Sequence, residues 1–360
     1  MGDKKTVHIL MIGAHRTGKS SVLASMINSF QMVAENTGFH LDADKNTRLF
    51  IDSKLINLRD VVSEHMGQRR FTIDADPTSG QDAYTFTVSY QEKKQKQKVA
   101  MLVFHDIAGE DVGSDDTAAL IQKSGVLLIA VDTVHLMEEN GAYSSVFHKP
   151  SVIKNAIAKA GFTADTKKME PKMVLFVPLK CEKYYKEGRM QEVVEQIQGE
   201  KGFKSLIDYL KSPNFQDRIT VAVTPILTMG AVAFDSFGRG EDGKVIRQQV
   251  QGQANLRPAQ VFYKFIADTF SPKYCEQPVL YILGFVVASA QKVRKEAETA
   301  GKMIFDAIKR GVLIYLFGWL YLGIWLLMKS TTFKKDYTVL AGQLKKSGDG
   351  YKILQNPLNL

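Results

Sequence analysis

Residues 7–20 read VHILMIGAHRTGKS, and this stretch decides the fold class. Its first half is an apolar run typical of a buried strand, and its second half fits the pattern GxxxxGK[ST]. A glycine-rich loop between a strand and a helix holds phosphate, because its backbone N–H groups and the positive end of the helix point at the same anion. The predicted phosphate-binding residues are Gly13, Ala14, His15, Arg16, Thr17, Gly18, Lys19, Ser20 and Ser21.

Two side chains of this loop have chemistry of their own. The Lys19 ammonium can reach the outer phosphates of a nucleoside triphosphate, so we expect it to take part in catalysis as well as binding. The Ser20 hydroxyl is a ligand for Mg²⁺ in loops of this pattern. The stretch therefore predicts a nucleotide site that uses a magnesium ion.

Outward from this stretch, short apolar runs alternate with helical patterns up to about residue 290. The strand-like runs are 7–13, 83–90, 99–106, 126–132, 173–179 and 219–225, and the helical stretches are 19–32, 117–123, 150–160, 190–211 and 258–270. This alternation predicts an α/β fold with a doubly wound, mostly parallel sheet. A polar turn at 91–98 joins two long strands, so one edge of the sheet is expected to be antiparallel.

The charge of the chain is concentrated near its C-terminus. The 360 residues carry a formal net charge of +9, and residues 291–360 hold twelve Lys or Arg and five Asp or Glu, which is +7 of that total. A nucleic-acid-binding protein spreads its basic residues over a folded face, so no nucleic acid partner is expected. The two cysteines, Cys181 and Cys275, are too few for a disulfide scaffold and indicate a reducing compartment.

The basic residues flank the most hydrophobic run of the sequence, residues 312–328. This run has seventeen residues without a charge, or about 25 Å of helix. We expect a membrane-associated or transmembrane helix here, with the nucleotide domain facing the cytoplasm; a packed core helix is the alternative. The apolar stretch at 279–290 is shorter, and we expect a buried terminal helix of the nucleotide domain.

These features divide the chain into four expected parts. They are a nucleotide domain at 1–290, a basic amphipathic linker helix at 291–311, the hydrophobic helix at 312–328 and a basic C-terminal tail at 329–360. The predicted fold class is thus α/β with a C-terminal hydrophobic helix.

A second motif, His105-Asp106-Ile107-Ala108-Gly109-Glu110, ends the third predicted strand. An aspartate beside a phosphate loop can hold Mg²⁺ through water, and a glycine three residues later can offer its N–H to a γ-phosphate. One predicted helix and two predicted strands separate the two motifs, an order that resembles the P-loop GTPases of the Ras-like, translation-factor-related class. The resemblance implies GTP and Mg²⁺ as cofactors, Ser20 and Asp106 as metal ligands, and Gly109 as a nucleotide-binding residue.

Two positions of the switch region follow from the same resemblance. Thr78 is the candidate for the threonine that completes the Mg²⁺ shell, with Thr72 and Thr85 as competitors. Glu110 stands where Ras-like enzymes place the glutamine that orients the attacking water, which makes it a candidate catalytic residue. Its charge near a γ-phosphate is unfavourable, so slow turnover is expected.

The base-reading motifs are partial. Where the family has NKxD, this chain has Leu179-Lys180-Cys181-Glu182. Lys180 is expected to pack on the purine, and Glu182 to accept hydrogen bonds from guanine. After the sixth strand Pro225 has no N–H to offer, which leaves Thr224 as the expected donor to the guanine oxygen.

The residue sequence of the phosphate loop indicates a further candidate catalytic residue, an arginine. Arg16 lies two residues before the Gly-Lys pair, as in guanylate-binding proteins and atlastins, which the loop resembles; there the arginine acts in cis on the transferring phosphate. A solvated loop arginine is the alternative. Together, the base motif and the second motif also resemble bacterial GTPases of defence and conflict systems. His15 and His105 flank the same pocket and are expected to be structural.

The sequence supports three classes of function. The first is a membrane-anchored protein that hydrolyses GTP to GDP with Mg²⁺, as a nucleotide-dependent switch or a membrane-acting mechanoenzyme, with a second copy or another protein as partner. The alternative is a membrane scaffold or effector that binds nucleotide and hydrolyses it weakly or not at all. An ATP-using enzyme is the third.

Overall fold

The computed structural model describes residues 6–73, 81–162, 170–250, 253–289, 327, 330–344, 350–358 and 360. Within them, eight strands form one main sheet and four strands form two accessory pairs. The main-sheet strands are β1 (Thr6–Ile12), β2 (Phe39–Ala43), β3 (Gln81–Glu92), β4 (Gln95–Ile107), β5 (Val126–Asp132), β6 (Lys172–Leu179), β7 (Ile219–Val223) and β12 (Lys352–Gln355). The accessory strands are β8 (Val232–Phe237), β9 (Arg247–Val250), β10 (Gln253–Pro258) and β11 (Val261–Phe265).

The spatial order of the main sheet is β12-β7-β6-β5-β1-β4-β3-β2. Its five central strands, from β7 to β4, run parallel, and antiparallel pairs close both edges. β5 and β6 are buried along their whole length, as expected for central strands covered on both faces. The register sets Met11 of β1 beside Asp106 of β4, so the two motifs leave the sheet at the same edge.

Helices cover both faces of this sheet. One face carries α1 (Lys19–Ala34), α2 (Lys45–Glu64), α10 (residues 277–289) and α11 (Thr331–Leu344). The other face carries α3 (Asp115–Lys123), α6 (Pro150–Ile157), α8 (Met190–Gln198) and α9 (Lys204–Leu210). Three short helices, α4 (Thr133–Met137), α5 (Ser144–His148) and α7 (Glu182–Lys186), follow β5 and β6. Two apolar layers therefore enclose the sheet.

The predicted doubly wound, mostly parallel sheet is confirmed. The six apolar runs of the sequence are β1 and β3 to β7, and the polar turn at 91–98 contains the β3–β4 hairpin, with Lys93 in the left-handed region at φ 55°. The stretch beginning at 279 is helical over its described residues and buried up to residue 287, as expected, with Val279 and Ile282 fully enclosed.

Two helix predictions are wrong. Residues 190–211 form α8 and α9, because the chain turns tightly at Gly202, where a Cβ would clash with the Gln196 carbonyl oxygen. The helix predicted over 258–270 is instead the end of β10 followed by β11, which pairs antiparallel with β8. In apolar runs this short, the periodicity of a helix cannot be distinguished from that of a strand.

β2 and α2 lie between α1 and β3, where the sequence predicts no regular structure. The Asp44 side chain caps α2 by accepting a hydrogen bond from the Thr47 N–H at 2.9 Å. Leu49 and Ile56 are exposed on this helix, so its apolar residues do not mark one face. The second motif therefore follows the phosphate loop by two helices and three strands.

The C-terminal residues return to the main sheet. On α11, Phe333 is fully buried against the rings of Phe39 and Tyr90, and the Asp336 carboxylate accepts a hydrogen bond from the Tyr90 hydroxyl at 3.0 Å. β12 then pairs antiparallel with β7. The part of the chain expected as a basic tail, 329–360, thus contains a helix and a strand of the fold, which its high charge concealed.

The linker at 291–311 and the hydrophobic run at 312–328 lie outside the described residues, apart from the buried Leu327. In the described part of the chain, no helix combines the length and the apolar character that crossing a bilayer requires. The C-terminal hydrophobic helix therefore stays a prediction.

We expect Phe333→Ala to lower the free energy of unfolding by about 3 to 5 kcal/mol, because it empties a fully buried aromatic site. Val339→Ala, at an exposed position of the same helix, is the control and should change this free energy by less than about 0.5 kcal/mol. Urea unfolding followed by circular dichroism measures both variants. Equal stability of the Phe333 variant and the wild type would contradict the packing of α11.

Candidate functional site

The phosphate loop leaves β1 after Ile12 and enters α1 at Lys19. Two of its residues have a left-handed backbone, Arg16 at φ 61° and Gly18 at φ 99°, and Gly18 is the N-cap of α1. The first turn of α1 contains no acidic residue, so the helix N-terminus keeps its positive potential. The loop thus has the backbone shape and the local field that favour an anion.

A buried carboxylate, Asp106, connects the phosphate loop with the second motif. The Ser20 hydroxyl donates a hydrogen bond to this carboxylate at 2.7 Å. The Lys19 Nζ lies 3.9 Å from its other oxygen and donates to the Gly13 carbonyl oxygen at 3.4 Å. Burial lowers the pKa of Lys19, and the charge of Asp106 opposes this shift. A hydroxyl beside a carboxylate is a hard oxygen donor set that fits Mg²⁺, with phosphate oxygens and water completing the shell.

Gly109 lies directly on the phosphate loop. A Cβ at this position would lie 2.5 Å from the His15 backbone nitrogen and 2.7 Å from the Gly13 carbonyl oxygen. Glycine is therefore the residue that fits this close approach. Glu110 follows it and is exposed.

A cavity of about 530 Å³ opens beside the phosphate loop. Its volume lies within the range of small-molecule sites and suits a nucleoside. The walls come from the phosphate loop, α2, the segments after β6 and β7, and the accessory strands. The predicted site residues on these walls are His15, Arg16, Thr17, Gly18, Ser21 and Lys180.

Lys180 links the cavity wall to the phosphate loop through its hydrogen bonds. Its ammonium donates to the Asp132 carboxylate at 2.7 Å and to the Arg16 carbonyl oxygen at 3.3 Å. Burial opposes the charge of Lys180, yet the Asp132 carboxylate raises the pKa of this lysine above its ordinary value. Burial also opposes the charge of Asp132, yet Lys180 and His135 hold its pKa well below the ordinary value. The pair is therefore ionised, and it fixes the loop at residue 16.

The other two predicted base-reading residues do not line the cavity in the described part of the chain. Glu182 is buried, and its carboxylate accepts hydrogen bonds from the Met229 N–H at 3.4 Å and the Gly230 N–H at 3.3 Å. Thr224 is also buried, and its N–H donates to the Phe176 carbonyl oxygen. Contact of these two side chains with a base stays a prediction.

The candidate magnesium threonine, Thr78, lies outside the described residues. Of its competitors, Thr72 lines the cavity, whereas Thr85 lies in β3 and donates its N–H to the Thr47 hydroxyl. The His105 ring stacks on His8, with 2.9 Å between a nitrogen of each ring. This pairing agrees with a structural part for His105.

Several residues at the site are absent from the sequence predictions, among them Asp132, Thr228, Met229 and Arg257. Asp132 ends an apolar strand, so its position at the edge of the sheet was a usable signal. Thr228 and Met229 follow β7 without a recognisable motif. Arg257 belongs to β10, a strand that the sequence analysis did not predict, and it lies just before the predicted helix 258–270.

No family model matches the chain, and no curated protein matches it. Two solved structures of the S. cerevisiae Ski7 GTPase-like domain are similar to part of it. The domain bound to GTP has 12% identity and a TM-score of 0.32, and the domain bound to GDP and inorganic phosphate has 11% identity and a TM-score of 0.30. Each match covers 62% of this chain and 43% of that chain, so this chain corresponds to less than half of their length.

Glu182 should make the stability depend on pH. Burial raises its pKa to about 7 from 4.5, so between these values the folded protein keeps a proton that the unfolded chain releases. The free energy of unfolding therefore falls by about 3 kcal/mol as pH rises through this window. Glu182→Gln keeps an acceptor for the two N–H groups and should remove that loss.

Urea unfolding at pH 5 and pH 8 measures the effect as the stability difference between variant and wild type. Glu195→Gln, at an exposed position of α8, is the control. A difference for the Glu182 variant that stays constant with pH would contradict a buried, protonated carboxyl.

Proposed function

We propose that this chain binds GTP with Mg²⁺ and hydrolyses it slowly to GDP and phosphate. One observation supports this most: Lys19, Ser20, Asp106 and Gly109 converge on one phosphate loop beside a cavity of nucleoside size, although up to 90 residues separate them in the sequence. A buried ammonium, a hydroxyl, a carboxylate and a glycine in this arrangement suit a triphosphate.

Each of these residues has a distinct part in the proposed reaction. The loop N–H groups and the N-terminus of α1 bind the phosphates, and the Lys19 ammonium offsets the charge that builds on them. Ser20 and Asp106 would hold Mg²⁺, which neutralises phosphate oxygens when it is bound. Gly109 offers its N–H to the γ-phosphate, and Glu110 orients water at an electrostatic cost, so turnover is slow.

For the base we propose guanine, with Lys180 packing on the purine face. The position of Lys180 on the cavity wall supports its part. The parts of Glu182 and Thr224 at the base, and that of Thr78 at the metal, rest on the sequence resemblance. The proposal that Arg16 is a catalytic arginine also rests on the sequence resemblance.

A nucleotide-binding scaffold that hardly hydrolyses is the second candidate. Glu110 favours it, because a carboxylate where Ras-like enzymes have a glutamine places a negative charge near the γ-phosphate and slows hydrolysis. The incomplete base-reading motif at residues 179–182 favours it as well. Turnover measured with saturating GTP decides between the two candidates.

We further propose that residues 312–328 attach the chain to a membrane, with the nucleotide domain on the cytoplasmic side. The support is the uncharged run of seventeen residues between basic flanks. Association with a second copy or another protein is part of the same proposal and rests on the sequence resemblance.

Lys19→Ala should weaken GTP binding by at least about 100-fold, because it removes the buried ammonium that meets the outer phosphates. Lys186→Ala, at an exposed position, is the matched control and should bind like the wild type. Titration with fluorescent GTP and fluorescent ATP in magnesium buffer measures both. Unchanged affinity of the Lys19 variant would refute the site, and equal wild-type affinity for the two nucleotides would refute the base assignment.

Leu316→Arg combined with Leu320→Arg should release the full-length protein from anionic vesicles, because each arginine within an apolar run costs about 2.5 to 3.5 kcal/mol in a membrane. Val339→Arg adds an arginine at an exposed site of α11 and is the control. Sedimentation with vesicles measures the bound fraction. Vesicle binding that the double substitution leaves intact would rule out attachment through this run.

A further inference from the structure

Arg257 lies where two cavities beside the phosphate loop meet. It is the next-to-last residue of β10, and it lines the large cavity as well as a smaller one of about 30 Å³. The smaller cavity lies between the start of the loop, residues 13–15, and the pair Gly109 and Glu110. An arginine from the accessory strands therefore faces the junction of the two motifs.

The surroundings hold the charge of Arg257 close to this junction. Its guanidinium carbon lies 5.1 Å from the centroid of the Phe147 ring, within cation–π range. Burial lowers the pKa of Arg257, and the negative charge of Glu110 opposes this shift. Burial also lowers the pKa of His15, and the charges of Arg16 and Arg257 add to the shift. The positive charge of Arg257 thus acts on residues of both motifs.

We propose that Arg257 binds the terminal phosphate of the nucleotide and offsets the charge of Glu110. This inference rests on the proposed function and adds a residue to it. A planar guanidinium can donate two hydrogen bonds to one phosphate, which an ammonium cannot do in the same fixed geometry. Arg16 suits this part less, because its side chain is exposed and its backbone is tied to Lys180.

This assignment gives the accessory strands a function. A nucleoside diphosphate lacks the phosphate that Arg257 contacts, whereas a triphosphate joins β10 to the phosphate loop through it. Arg257 therefore increases the affinity for the triphosphate relative to the diphosphate, whereas Lys19 binds both.

The test compares the affinity of the full-length protein for guanosine 5′-(β,γ-imido)triphosphate and for GDP, both with Mg²⁺. Arg257→Ala should weaken the triphosphate analogue by about 10- to 100-fold and GDP by less than about 3-fold. Arg257→Lys should recover part of the loss, because it restores the charge but not the planar fork. Arg239→Ala, an exposed arginine between β8 and β9 that pairs with Glu139, is the control and should change neither affinity.

An equal loss of both affinities in Arg257→Ala would show that this residue only supports the cavity wall. Unchanged affinities would show that it does not contribute to nucleotide binding. Either result overturns the proposal. A selective loss in Arg16→Ala instead of Arg257→Ala would also overturn it. If the wild type prefers adenine nucleotides, the same comparison with the adenine pair tests Arg257, and only the guanine assignment fails. A wild type that binds neither kind of nucleotide overturns both the proposed function and this inference.

Discussion

The parallel pairing of β1 with β4 is the constraint on which the candidate site depends. It sets Met11 beside Asp106, and the carboxylate then meets Ser20 and Lys19 at the start of α1. A shift of the register by one residue would turn Asp106 to the other face of the sheet. Lys19 would then be buried without the negative charge that opposes the loss of its proton.

A second, partly buried ion pair holds the same loop from the other side. Asp132 ends β5, and Lys180 follows β6, so the pair lies one strand beyond β1 and contacts the Arg16 carbonyl oxygen. The loop is therefore held at Arg16 and at its junction with α1 by charges that the strand order brings together. A loop held in this way needs little reorganisation when an anion arrives, which favours binding.

The sequence predicted the features that depend on local pattern and missed those that depend on distant contacts. The phosphate loop and Asp106 were recognised from the spacing of their motifs along the sequence, so their convergence was predictable. Arg257 reaches the loop from an accessory strand, and no local pattern points there. Glu182 stands at the position that the resemblance assigns to base reading, but its burial against Met229 and Gly230 depends on the loop after β7. α11 was missed because residues 329–360 carry a net positive charge and were predicted to be a tail, whereas two aromatic contacts decide its place.

The return of the C-terminal residues to the sheet constrains the proposed attachment to a membrane. The described part of α10 reaches residue 289 and α11 begins at Thr331, and both pack in the same apolar layer. A helix that crosses a bilayer once places its two flanking segments on opposite sides, which is incompatible with two neighbours in one core. If residues 312–328 attach the chain to a membrane, as proposed, this run would have to enter and leave the membrane from the same side. Tension on such an anchor would be shared by two adjacent helices and would reach the sheet that carries the phosphate loop.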